Sequence, residues 1–248
     1  MRLRAGNGNR LNIGSARRCP GSAWLVLAAC AAFGHASSGA SNALSQAVAP
    51  HIDRTTFVFF DTETTGLNAR KDRIVEIGAV KLRAGRILEQ HSWLIDPGVP
   101  IPARVQKIHG ITPEMVRDAP AFCDVFREFA RFAADAVLVA HNARFDIRFL
   151  NAELERCGSR IPGNVIFDSL PLFRNWFPGR KRYGLRDLAA RAGLPVSTTH
   201  RALADAEMVA RLFREGLNKQ PSDPALHEIL RSAGGALRLG PAQQTPSP

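Results

Sequence analysis

The chain has 248 residues, 45% of them hydrophobic, with 33 Lys plus Arg against 22 Asp plus Glu and a formal net charge of +11. That is core enough for one compact domain of roughly 150–200 residues with segments left over at the ends, and an excess of base that suits contact with nucleic acid or an acidic membrane surface. The cysteines, Cys19, Cys30, Cys123 and Cys157, form no Cys-x-x-Cys pair and no zinc spacing, which excludes a zinc framework and argues for inert thiols rather than a disulfide scaffold.

Residues 1–52 hold five Arg and no acid, and an apolar stretch over 23–33 follows Arg17 and Arg18. This segment resembles a secretory signal or an organellar presequence, or else it is a disordered extension ahead of a mis-assigned start. The apolar run is too short for a membrane span, which needs about 20 residues. Cytoplasmic residence is the expectation, with export or organellar import the alternative if the segment is a real signal. Residues 53–220 carry 26 basic and 20 acidic residues, so the expected domain is only mildly basic.

Phe57-Val58-Phe59-Phe60 is an apolar, aromatic and β-branched run of the kind that forms a central strand buried on both faces, and it stops at Asp61. Two further strands are expected over 74–82 and 87–95, joined by a turn at Ala84-Gly85. From Pro120 to Ala134, Phe122, Val125, Phe126, Phe129 and Phe132 recur at helical steps, an apolar stripe that belongs to the core. A strand over 136–140, a helix over 143–157 ended by Gly158, a brief strand over 165–167 and helices over 185–192 and 202–217 complete the pattern. Such an order predicts an α/β domain with a mixed sheet and helices on its faces. Pro, Gly, Ala and Gln then dominate 221–248, expected to be a flexible tail.

Asp61 and Glu63 stand two apart at a strand end and so project to one side, where a cation could offset their repulsion. Hard oxygen ligands of this kind suit Mg²⁺ or Mn²⁺. Asp146 and Asp205 fall in the first turns of two helices and bring the count to four carboxylates, enough to hold two cations about 3.5–4 Å apart. His200, five residues before Asp205, supplies a group that can take a proton from an attacking water near neutral pH.

Asp61-Thr62-Glu63-Thr64-Thr65-Gly66-Leu67, His141-Asn142-Ala143-Arg144-Phe145-Asp146 and His200-Arg201-Ala202-Leu203-Ala204-Asp205-Ala206 together resemble the three motifs of the DEDD exonucleases, in the branch with a histidine five residues before the last acid. They are most similar to the proofreading epsilon subunits of bacterial DNA polymerase III, over about residues 55–218. The resemblance implies a ribonuclease H-like fold and 3'→5' removal of 5'-mononucleotides from DNA. Asp61, Glu63, Asp146 and Asp205 would be metal ligands and His200 the base. Thr62, Thr65, Gly66 and Leu67 would line the pocket for the 3'-terminal nucleotide, with Asn142 and Phe145 touching the next one. His109, in Ile108-His109-Gly110-Ile111-Thr112, would lie in the loop above the terminal nucleotide. Single-stranded or frayed DNA 3' ends are the implied partners, RNA ends as in ribonuclease T or oligoribonuclease an alternative. A silent nucleic-acid-binding module is the reading from another class, and the presence of all five active-site residues argues against it. No polymerase-binding or clamp-docking segment is recognisable in the tail. Glu76 matches the family but reads as a satisfied structural group, and Arg180-Lys181-Arg182 as a basic loop that could attract a phosphate backbone.

Overall fold

The computed structural model describes residues 51–159, 162–196, 199–220 and 224–240. Apart from its last two residues, the expected leader lies outside them. A 3-10 turn, Ile52–Arg54, leads into β1 (Thr56–Thr64), β2 (Ile74–Arg83) and β3 (Arg86–Leu94), an antiparallel meander. Ala84 (φ 48°) and Gly85 (φ 71°) both take the left-handed conformation between β2 and β3, as a tight turn compatible with strand twist requires. Two short helices that the sequence pattern did not announce follow, α1 (Ala103–His109) and α2 (Pro113–Val116). The expected aromatic helix is α3 (Phe122–Ala133), and β4 (Val137–Ala140), α4 (Arg144–Cys157) and β5 (Ile166–Asp168) form a strand–helix–strand unit. The chain continues through α5 (Ser169–Trp176), α6 (Leu185–Arg191), α7 (Ala202–Leu217) and α8 (Leu226–Ser232).

The sheet order is β3-β2-β1-β4-β5, with β4 and β5 parallel to β1, so the sheet is mixed and β1 is central. Alternation along β1 divides its apolar run between two cores. Val58 and Phe60 pack with Phe126 and Phe129 of α3 and Phe149 and Leu150 of α4, while Phe57 and Phe59 pack with Leu172 and Phe173 of α5 and Leu212 and Phe213 of α7. All four residues are at most 1% exposed. At about 25 cal/mol per Å² of apolar surface removed from water, this double-sided burial pins the strand end from both sides.

Two expectations are corrected. Residues 224–240 are not a loose tail: α8 packs Ile229 against the core, Leu226 and Leu230 lie against the same cluster, and Leu237 pairs by its backbone with Ile166. Apolar residues at 226, 229 and 230 form one helical stripe, short enough to be hidden by the surrounding Pro and Gly. By the same packing α7 is not the last helix. Cys123 and Cys157 are bonded as a disulfide across α3 and α4, their Cα atoms 5.8 Å apart; the 34-residue separation left no local spacing from which to read the pair.

One glycine decides how closely α7 can approach the sheet. A Cβ on Gly78 in β2 would collide with the backbone of Ala202 and Leu203 at the start of α7. Backbone cannot rotate away as a flexible side chain can. Gly78→Ala should therefore destabilise the protein by about 1–3 kcal/mol, the usual cost of overpacking. A lower denaturant midpoint in chemical unfolding checks this, and an unchanged midpoint would show that α7 is free to shift.

Candidate active site

The alternation that divides the β1 core also distributes the polar residues that follow it. Asp61 and Glu63 continue the register of Phe57 and Phe59 and belong to the α7 side, whereas Thr62 continues that of Val58 and Phe60 and belongs to the α4 side. On the α4 side, Thr62 Oγ1 donates to Asp146 Oδ1 at 2.7 Å, and Asp146 is 2% exposed in the first turn of α4. On the α7 side, Asp205 is buried in the first turn of that helix, and its Oδ2 lies 3.0 Å from His200 Nδ1. Glu63, His200 and Asp205 each bring a ligand atom to within 4.8 Å of the others. Three elements thus deliver four acids to one place, and the segment ahead of α7 adds the imidazole.

The electrostatics are those of a site short of positive charge. Burial, followed by the charges of Asp146, Glu63 and Asp205, raises the Asp61 carboxyl well above the ordinary carboxylate range. Burial and then Asp205, Glu76 and Asp146 push Glu63 up to about 8. Asp146 rises to about 7 through burial, against the hydrogen bond from Thr62. Asp205 is raised by burial despite His200 and Arg186. The Asp205 Oδ1 atom is buried and accepts no hydrogen bond. A buried oxygen without a donor, among oxygens that repel one another, fits a hard divalent cation.

Glu76 shows the contrast. It is fully buried, yet Arg201 forks onto it at 2.8 and 3.0 Å, Ser92 donates at 2.6 Å and the Ala202 N–H at 3.0 Å. Burial alone would raise this carboxyl, but the Arg201, Ser92 and Ala202 donors hold it below its ordinary value. Glu76 thereby caps α7 from outside the helix and sets the position of Asp205.

The remaining predicted residues are placed unequally. Thr65 and Gly66 are buried in the turn after β1, where Asp72 sits so close to Gly66 that a Cβ there would strike its carboxylate. Leu67 is 80% exposed at the tip. Asn142 is exposed and left-handed (φ 63°), its N–H donating to Asp168 Oδ1 at 2.9 Å. Phe145 is half-buried against Phe149, ring centroids 4.9 Å apart. His109 is not on a solvated loop: it ends α1, is 1% exposed, and its Nδ1 accepts from the Ile111 N–H at 3.0 Å. The exposed side chain of that segment is Ile108, whose carbonyl accepts from the His200 N–H at 3.0 Å. Arg180, Lys181 and Arg182 lie between α5 and α6, with Arg180 over the Phe177 ring at 5.7 Å.

Two neighbours of the site escaped sequence reasoning. His141 places Nε2 2.8 Å from the Tyr183 carbonyl and Nδ1 2.9 Å from Ser169 Oγ. A carbonyl can only accept, so Nε2 carries the proton and Nδ1 accepts from Ser169, and burial holds the ring below the ordinary imidazole pKa. Arg186 lies 3.8 Å from Asp205 Oδ1. Neither contact has a local signature; only the HN-x-x-FD context of His141 could have drawn attention to it.

A family model described as Exonuclease (RNase_T) matches residues 58–213. The chain is 44% identical over 163 residues to DNA polymerase III subunit epsilon of Treponema pallidum (strain Nichols), covering 65% of this chain and 76% of that protein. It is 36% identical over 173 residues to DNA polymerase III PolC-type of Clostridium perfringens (strain 13 / Type A), covering 70% of this chain but 12% of that much longer protein. Among solved structures, Exonuclease X in complex with 5' overhanging duplex DNA aligns at TM-score 0.56 and 30% identity, over 70% of this chain and 98% of that one. The mixed sheet and its flanking helices thus form the ribonuclease H-like arrangement that the motifs implied.

The raised carboxyls fix the sign of a pH effect. Each binds its proton more tightly folded than unfolded, so its contribution to stability is complete below about pH 4 and is lost as pH rises through about 7 for Asp146 and about 8 for Glu63. In chelator, the melting temperature should fall between pH 5 and pH 8, and added Mg²⁺ should raise it more at pH 8 than at pH 5. Calorimetry at the two pH values checks this; an equal Mg²⁺ effect at both would contradict it.

Proposed function

This chain belongs to the exonuclease family, and from that premise we propose that it is a 3'→5' exonuclease that releases 5'-mononucleotides from DNA ends. In this reading Asp61, Glu63, Asp146 and Asp205 hold two divalent cations, Mg²⁺ or Mn²⁺, and His200 is the general base. The observation that supports it most is the convergence of four mutually repelling carboxylates with an imidazole hydrogen-bonded to one of them. Once bound, the cations supply the missing positive charge and stabilise the charge that develops on the phosphodiester.

The chain's own groups account for the rest. With Nδ1–H donated to Asp205, His200 presents Nε2 unprotonated, able to accept a proton from an attacking water. The ring is 45% exposed, so water and substrate can reach it. Leu67 and the edge of Phe145 offer apolar contact to a base or sugar without reading its identity, so little sequence preference is expected. Unpairing a terminal nucleotide costs about a few kcal/mol, which favours single-stranded or mismatched ends. DNA is proposed over RNA because the similar proteins are a DNA polymerase III epsilon subunit, a PolC-type DNA polymerase III and a nuclease solved on DNA.

Residence in an oxidising compartment is favoured by one observation, the Cys123–Cys157 disulfide, since such bonds persist outside reducing cytosol. The leader, with Arg17 and Arg18 ahead of an apolar run, would then be an export signal. Thiol alkylation before lysis, followed by intact mass measurement, should find Cys123 and Cys157 unlabelled and the N-terminus shortened. Labelled cysteines on a full-length chain would place it in the cytoplasm.

His200→Ala should lower kcat by about 10²–10⁴ with KM for a single strand nearly unchanged, the usual contribution of a positioned base. On end-labelled oligonucleotides a phosphorothioate at the terminal 3' linkages should block degradation. Degradation equally fast with and without the block, or cleavage of a circular strand, would rule out a 3' exonuclease.

A further inference from the structure

His200 stands on the segment between α6 and α7, outside any regular element, yet the peptide that carries it is held on both edges. The carbonyl of the Thr199–His200 peptide accepts from Arg186 Nη2 at 2.7 Å. The N–H of the same peptide donates to the Ile108 carbonyl at 3.0 Å. Two opposed hydrogen bonds on one peptide unit fix its plane and with it the position of the His200 Cα from which the side chain departs. The Arg186 guanidinium also lies 3.8 Å from Asp205 Oδ1, while Asp205 Oδ2 meets the His200 ring at 3.0 Å. One cation on α6 therefore reaches the base through the backbone and through the carboxylate that orients its ring. Arg186 is 25% exposed, far enough from bulk water for a charge-assisted hydrogen bond to be worth more than a surface pair.

We propose that Arg186 is a positioning residue for the general base, aligning His200 through the Thr199 carbonyl and Asp205. This rests on the assignment of His200 as base. A planar guanidinium can hydrogen-bond the Thr199 carbonyl while its charge faces Asp205, a span that the compact ammonium of a shorter lysine stem covers less well. Without Arg186, the Thr199 carbonyl loses this charge-assisted donor and the peptide is held less firmly, so the imidazole would spend less time in the productive orientation. The loss is expected in kcat, because it concerns alignment in the chemical step, and not in the binding of a single strand.

A double-mutant cycle tests this. Arg186→Met should lower kcat about 10–100-fold, the range expected for losing a hydrogen bond from a charged group, with KM for a 3'-ended single strand within about twofold of the parent. In the His200→Ala background the same substitution should cost almost nothing further, since its target is gone. Arg186→Lys, which keeps the charge but loses the fork, should recover part of kcat. If Arg186→Met fails to fold, the cycle is run with Arg186→Lys, whose smaller loss should vanish likewise beside His200→Ala. Equal losses with and without His200, a rise in KM at constant kcat, or no loss at all would overturn the proposal. A His200→Ala enzyme with unimpaired kcat would instead bring down the base assignment itself, an outcome visible before Arg186 is touched.

Discussion

Mutual repulsion among four carboxylates at the end of one strand is the constraint around which the molecule is arranged. Left to themselves, Asp61, Glu63, Asp146 and Asp205 would separate or take up protons, and burial first, joined for Asp61 and Glu63 by the charges of the other site acids, raises their pKa values. Separation is prevented by burial that has nothing to do with charge. Phe57 and Phe59 on one face of β1 and Val58 and Phe60 on the other anchor the strand in two cores. The strand end cannot splay without opening both. The pressure is therefore stored in the site, where a cation can relieve it.

The same protein shows what a buried carboxylate looks like when its task is to hold the fold. Glu76 is surrounded by Arg201, Ser92 and the start of α7, and Glu153 is 1% exposed beneath a fork from Arg73 and a contact from Arg156. Each joins distant parts of the chain, β2 to α7 in one case and β2 to α4 in the other, and each has positive charge built in. The acids of the site lack that complement, apart from Arg186 at 3.8 Å from Asp205. Glu76 and Glu153 are thus told apart from Asp61, Glu63, Asp146 and Asp205 by the donors around them.

Much of this was legible in the residues. Period-two and period-3.6 patterns located β1, the meander, α3, α4 and α7, because each buries a long apolar face. The gathering of Asp61, Glu63, Asp146 and Asp205 was legible because strand alternation and helix first turns place acids predictably. What remained hidden depends on contacts between distant segments or on very short elements. α1, α2 and α8 span seven residues or fewer and lie beside Pro and Gly that obscure their short apolar stripes. The burial of His109, the bond between Cys123 and Cys157, and the reach of Arg186 to Thr199 arise only once helices are packed together.

The disulfide carries a consequence of chain statistics. It closes a loop of 34 residues that contains β4, the left-handed Asn142 and the turn bearing Asp146. Tethering a loop of that size removes entropy from the denatured ensemble equivalent to about 3–4 kcal/mol in the chain-entropy description. After unfolding, α3 and α4 remain leashed, so the segment between them need search only a small volume to lay β4 beside β1 again. Reduction would leave the carboxylates where they are in the folded protein and act instead on how often, and for how long, the molecule is found without its fold.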